Sequence, residues 1–234
     1  IAMGNTVVNK NPSICPQCGM LAEEAFKEAG FGDAFLNIIV DQKSSETVIK
    51  NKKVRGVSFT GSTKGGSTIA SLAGKYCKKA VMELGGNDPF IVMKDADIAF
   101  AVEQGIKARL KNGGQVCTAA KRFIIQDDVY NKFRDTLVEK LKEVKVGDPM
   151  DQDTQIGPLA KKDGLEQVID QVERSKKEGE KVLFGGDQPK DEKLKNGYYY
   201  LPTVMEVERG NCILDEETFG PVFSLIKFKS DDEA

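Results

Sequence analysis

Short apolar runs and helix-period stretches alternate along nearly the whole chain, and this alternation restricts the fold more than any other feature. Apolar, strand-like runs fall at residues 5–9, 35–40, 54–60, 79–84, 90–93, 122–125, 181–184, 198–207 and 222–228. Between them lie helix candidates at 13–30, 69–74, 96–110, 127–144 and 162–177. The helical period is clearest where Val129, Phe133, Leu137 and Leu141 stand four apart, and where Leu165, Val168, Ile169 and Val172 form one stripe. Ile98, Val102, Ile106 and Leu110 repeat the pattern in the stretch before. Gly30, Gly61, Gly85-Gly86 and Gly147-Asp148-Pro149 punctuate these runs. Strands alternating with helices predict an α/β fold with layered sheets, and the polar stretch 188–196 is expected to be a surface loop. A shift in pattern after Asp88-Pro89 divides the chain into a domain at 1–86 and a second at 87–234.

Composition then narrows the chemistry. The 234 residues include no histidine, which excludes Ser-His-Asp and Cys-His hydrolases and every His-ligated metal site. Acid–base work must fall to carboxylate, Lys, Tyr or Cys. With 40% hydrophobic and 30% charged residues, the balance is that of a globular protein. A formal charge of −2 offers no basic footprint for nucleic acid. No apolar stretch is long enough to span a membrane. Five cysteines, an odd number, argue against a disulfide scaffold and for a reducing, cytoplasmic setting.

Four segments could carry chemistry. In Asn112-Gly-Gly-Gln115-Val-Cys117 a thiol follows a glycine-rich turn, where nearby backbone N–H groups could stabilise an oxyanion; a buried, inert Cys is the competing reading. In Met82-Glu83-Leu84-Gly85-Gly86 a carboxylate ends an apolar strand, where partial burial would suit it as a general base; a capping or salt-bridging Glu competes. Phe59-Thr60-Gly61-Ser62-Thr63-x-Gly65-Gly66 could present N–H groups and hydroxyls to a phosphate, or be a plain turn. Glu216-Glu217-Thr218-Phe219-Gly220-Pro221 could hold a ribose beside a flat ring, or anchor a loop. A fifth segment, Cys15-Pro-Gln-Cys18, lacks the second pair that a zinc site needs, and reads as a helix-start pair of core thiols.

Taken in order, these segments resemble the aldehyde dehydrogenase superfamily. The likeness rests on Gly4-Asn5-Thr6-Val7-Val8-x-Lys10, Phe59-Thr60-Gly61-Ser62-Thr63, Glu83-Leu84-Gly85-Gly86, Gly114-Gln115-x-Cys117, Gly157-Pro158-Leu159 and Glu217-Thr218-Phe219-Gly220-Pro221. Asn87-Asp88-Pro89-Phe90-Ile91-Val92 and Cys117-Thr-Ala-Ala-Lys121-Arg122-Phe123 look closest to the succinate-semialdehyde dehydrogenase branch. The resemblance implies a partial Rossmann-like cofactor domain at 1–86 followed by an α/β catalytic domain at 87–234, truncated at both ends, so that the chain is expected to be an internal fragment.

The resemblance also implies roles. Cys117 stands at the family's nucleophile and Glu83 at its general base. Lys10 stands at the adenosine ribose, and Gly61, Ser62 and Gly66 at the pyrophosphate. Glu217 stands at the nicotinamide ribose, with Phe219 beside the ring. Many NAD-preferring members carry Glu where this chain has Ser13, so NADP is expected to be tolerated or preferred alongside NAD. The implied partner is a small-molecule aldehyde, and Lys121, Arg122 and Arg109 are candidate anchors for a carboxylate on it. Full-length relatives form homo-oligomers, which this chain is not expected to do in the same way. A non-catalytic remnant that binds nucleotide or a partner is the alternative reading.

Overall fold

The computed structural model describes residues 1–41 and 43–234. They divide into two compact units, Ile1–Leu84 and Gly85–Ala234.

The first unit holds two parallel strand pairs. In one, β1 (Val7–Asn9) lies beside β2 (Phe35–Asn37), with Val7 opposite Phe35. The strands expected at 5–9 and 35–40 are shortened to three residues each. Pairing stops because Lys10-Asn11-Pro12 follows β1, and a proline offers no ladder donor. Helix α1 (Pro16–Phe26) joins them, with Pro16 in its first turn. A wider turn over Lys27–Phe31 carries the chain to Gly30, whose φ of +83° ends the helical run as its position suggested.

In the other pair, β3 (Gly56–Thr60) runs parallel to β4 (Lys79–Glu83), and Thr60 is opposite Glu83. A short helix, α2 (Ser45–Lys50), precedes them. It is too brief and polar to show an apolar period. The connecting helix α3 (Thr63–Lys75) starts six residues before the stretch predicted at 69–74. Ser62 caps it: its Oγ accepts the Gly65 N–H at 3.2 Å. Gly66 is buried, and any Cβ there would collide with the Leu84 side chain. The two glycines that hid this helix from a propensity reading are therefore kept by close packing.

The second unit is built on one sheet. Its strands are β5 (Asp88–Val92), β6 (Ala120–Gln126), β7 (Lys181–Phe184), β8 (Thr203–Glu206) and β9 (Val222–Phe228). Their spatial order is β5-β6-β9-β8-β7, parallel except where β7 meets β8. Helices α4 (Ile98–Leu110) and α5 (Asp127–Lys142) share one core with Phe123, Ile125, Phe223 and Leu225. Helix α6 (Lys162–Lys177) and the short α7 (Cys212–Asp215) share another with Met205, Val222 and Ile226. Residues of β9 alternate between the two cores, so both faces of the sheet are covered. This explains why 222–228 reads as an almost unbroken apolar run.

Helix α6 and strands β7 and β9 have the bounds their patterns predict. The strand expected at 198–207 is reduced to Thr203–Glu206. Pro202 interrupts it, while Tyr199 and Tyr200 are buried without joining the ladder.

Candidate functional site

The expected residues fall in both units. In the first unit, Lys10 and Ser13 follow the C-terminal end of β1, and both are exposed. Asn11 shapes their loop: it receives the Asn9 Nδ2–H at 2.7 Å, and its own Nδ2 donates to the Cys15 carbonyl at 3.0 Å. Gly61 and Ser62 follow the C-terminal end of β3, while Glu83 ends β4. The Gly61 N–H donates to the Glu83 carbonyl at 3.0 Å, which brings the small-residue turn against the end of the neighbouring strand. Carboxyl ends of parallel strands are where α/β sheets place ligands.

Glu83 is exposed, not partly buried. Gly66, expected with Ser62 at the pyrophosphate, spends its missing side chain on contact with Leu84. Cys15 and Cys18 are corrected as well. Cys18 is exposed and Cys15 only half-buried, because the N-terminal turn of α1 faces outward, so they are not core thiols.

In the second unit, Cys117 sits on a turn between α4 and β6 and is exposed. The competing expectation that it is buried is thereby corrected. Asn112, Gly113 and Gly114 all have positive φ, at 52°, 64° and 79°, which folds the chain sharply just before the thiol. A Cβ on Gly114 would strike the Gly220 carbonyl. Gln115 ties the turn down: its Nε2 donates to the Asn112 carbonyl at 3.0 Å, and its Oε1 accepts the Ala160 N–H at 2.9 Å. This links the thiol segment to the end of Gly157-Pro158-Leu159.

The Glu216–Pro221 segment is clamped from several elements. Arg109, wholly buried on α4, donates from Nη2 to the Thr218 carbonyl at 2.7 Å and also to the Gly220 carbonyl. Burial lowers its pKa to about 9, opposed by the nearby Glu217 carboxylate. Gln171, also buried, donates to the Glu217 carbonyl at 3.1 Å. Arg174 forms a fork on Glu216, at 2.9 Å from Nη1 and 2.5 Å from Nη2, and these bonds hold the Glu216 carboxyl below its ordinary range. Asn87 Nδ2 donates to the Leu214 carbonyl at 2.6 Å.

Phe219 is exposed at the head of this segment. The Glu217 carboxylate lies against Gly85, where any Cβ would overlap it. Its Oε1 is 3.3 Å from the ammonium of Lys121 and has no directed hydrogen bond among the described residues.

The suggested carboxylate anchors need correction. Arg109 and Lys121 are buried and turned onto backbone carbonyls, and Arg122 Nε donates to the Asn87 carbonyl at 2.6 Å. Carbonyls that face inward must be paired, and these cations pair them. Gln171 and Arg174 had escaped notice. A polar Gln171 on the apolar side of α6 was the available signal; the Arg174–Glu216 pair, distant in sequence, had none.

Comparison with known proteins gives the family. Residues 1–234 match the aldehyde dehydrogenase family. The chain is 41% identical over 233 residues to an aldehyde dehydrogenase of Paenarthrobacter nicotinovorans, covering 99% of this chain and 50% of that relative. It is 37% identical over 236 residues to succinate-semialdehyde dehydrogenase [NADP(+)] 1 of Mycobacterium tuberculosis, again covering 99% and 50%. Among solved structures, succinic semialdehyde dehydrogenase from Streptococcus pyogenes in complex with NADP+ superposes with a TM-score of 0.93 at 38% identity, over 98% of this chain and 50% of that one. Betaine aldehyde dehydrogenase from Staphylococcus aureus in complex with NAD+ gives 0.95 at 31% identity, over 99% and 46%. The chain spans about half the length of the curated relatives it matches. No helix among the described residues is long and apolar enough to cross a membrane. The chain belongs to the aldehyde dehydrogenase family.

Proposed function

We propose that the chain carries the reacting residues of an NADP- or NAD-dependent oxidation of an aldehyde to a carboxylic acid, with succinate semialdehyde as the leading substrate. The observation that carries this reading is the exposed Cys117 thiol on a turn fixed by three left-handed residues and Gln115. In this reading the Cys117 sulfur bonds to the aldehyde carbon, and the acyl group is later held as a thioester. Glu83 takes a proton from the water that hydrolyses it. Bound dinucleotide supplies the hydride acceptor.

The residues present suit such a cofactor. Ser62 stands at the N-terminus of a 13-residue helix whose Thr63 and Lys64 N–H groups have no acceptor among the described residues, and the Glu217 carboxylate is assigned to a ribose hydroxyl. Phe219 is exposed for contact with a flat ring. Lys10 and Ser13, both exposed, are assigned to the adenosine ribose, and Ser13 carries no charge to repel a 2′-phosphate. The named activities of the succinate-semialdehyde relatives support the substrate and the NADP preference. A reducing, cytoplasmic setting fits five free cysteines.

The test is absorbance of reduced cofactor when the purified chain meets NADP+ and succinate semialdehyde. Turnover that is lost in Cys117→Ala and shifts toward NAD+ in Ser13→Glu is the expected result. A chain that binds NADP+ but reduces none with any aldehyde would be a nucleotide-binding remnant instead.

A further inference from the structure

Lys121 is a buried cation that the reaction above does not use. It lies on β6 with 2% of its side chain exposed, and it reaches back under the turn that carries Cys117. Its Nζ donates to the Cys117 carbonyl at 2.6 Å and to those of Val116 and Ala119 at 3.3 Å. The same ammonium is 3.3 Å from Glu217 Oε1.

The direction of these contacts has a consequence. In a planar trans peptide the C=O and the following N–H point opposite ways. Drawing the Val116 and Cys117 carbonyls inward therefore turns the N–H groups of Cys117 and Thr118 outward, beside the exposed thiol. Neither N–H has a protein acceptor among the described residues, whereas the Ala119 N–H is used, donating to Val116 at 3.1 Å. Outward amide donors next to a nucleophile are the kind of group that stabilises an oxyanion.

We propose that Lys121 is a positioning residue for acyl transfer: it holds the turn from its buried side so that the Cys117 and Thr118 N–H groups face the oxygen of a carbonyl under attack, and it couples that hold to Glu217. The proposal rests on the reading of Cys117 as an acyl-forming nucleophile. It does not require hydride transfer.

Two reactions of one thiol separate positioning from simple support. With p-nitrophenyl acetate, the Cys117 thiolate forms a C–S bond to the carbonyl carbon, the ester C–O bond breaks, and p-nitrophenolate leaves. This passes through an oxyanion. With iodoacetamide the same thiolate displaces iodide at a saturated carbon, and no oxyanion forms. Peptide mass spectrometry assigns each product to Cys117.

In Lys121→Met, acylation is expected to fall about 10²–10³-fold, as on loss of an oxyanion donor, while alkylation stays within roughly threefold. Equal losses in both reactions, or unchanged acylation, would overturn the proposal. So would an unaltered chain whose Cys117 is not acylated. If Lys121→Met does not fold, amide hydrogen exchange in the unaltered chain decides. Fast exchange at Cys117 and Thr118 beside a protected Ala119 supports the arrangement, and protection of the first two refutes it. Normal acylation without cofactor reduction would remove the dehydrogenase reading and leave this one standing.

Discussion

The wholly buried guanidinium of Arg109 donates to the carbonyl of Thr218 at 2.7 Å, joining α4 to a segment 109 residues away. The same group reaches the carbonyls of Gly220 and Ala120. One side chain thus serves three inward carbonyls around the thiol turn.

Replacing it by methionine should remove those donors and leave the Thr218 carbonyl without a partner, while that of Gly220 keeps the Val222 N–H at 2.9 Å. At about 1–3 kcal/mol for an unsatisfied group, a loss on the order of 2–3 kcal/mol is expected. Urea denaturation of Arg109→Met measures it. A loss below about 1 kcal/mol would show that the carbonyls find water or other donors.

Two glycines should respond to alanine in opposite directions. Gly114 has a φ of +79° and no room for a Cβ beside the Gly220 carbonyl, so Gly114→Ala should cost upward of about 2 kcal/mol and slow alkylation of Cys117. Gly164 lies in α6 with open space at its Cβ, so Gly164→Ala should stabilise by about 0.5–1 kcal/mol. The idea fails if the two variants have the same midpoint in urea.

Cys77 occupies a glycine position. It follows the end of α3 with a φ of +51°, its N–H bonds the Gly74 carbonyl at 3.0 Å, and the Lys78 N–H bonds that of Ala73 at 2.9 Å. That pair of bonds is the Schellman motif, which favours a residue without Cβ. Cys77→Gly should therefore stabilise the first unit by up to about 1 kcal/mol, visible as a later thermal transition. An earlier transition would mean that the thiol has a packing role.

Acid should loosen the clamp on Glu216. Its bonds to Arg174 lower the folded carboxyl below its ordinary value of 4.5. A lowered folded value contributes stability that is full above that ordinary value and is lost as pH falls through the folded one. The stability gap between the unaltered chain and Arg174→Met should thus be present at neutral pH and shrink as the pH falls below that ordinary value. A gap that does not change with pH would mean that Arg174 acts through packing alone.

Much of this protein was legible from side-chain period. Val168 and Val172 on α6, or Phe133 and Leu137 on α5, repeat at 3.6 residues, and burial follows that period whatever lies opposite. Six segments in order, from Gly4–Lys10 through Phe59–Thr63, Glu83–Gly86, Gly114–Cys117 and Gly157–Leu159 to Glu217–Pro221, were enough to place the chain in its family. Boundaries were less visible where a strand depended on a partner. Residues 38–40 look as extended as Phe35–Asn37, but β1 ends at Asn9, whose carbonyl takes the Ile38 N–H at 2.8 Å as the last bond between the two segments.

Which polar groups meet was decided by the tertiary structure alone. Lys121, Arg122 and Arg109 look alike in sequence, as cations near a thiol. Folding turned all three onto backbone carbonyls, because the Val116–Ala119 turn, Asn87 and the Glu216–Pro221 segment present theirs to these side chains. The glycines of Gly85-Gly86 read as companions of Glu83, yet Gly85 makes room for Glu217. A periodic pattern records burial residue by residue. A hydrogen-bond partner is a property of two distant segments, and only their packing together creates it.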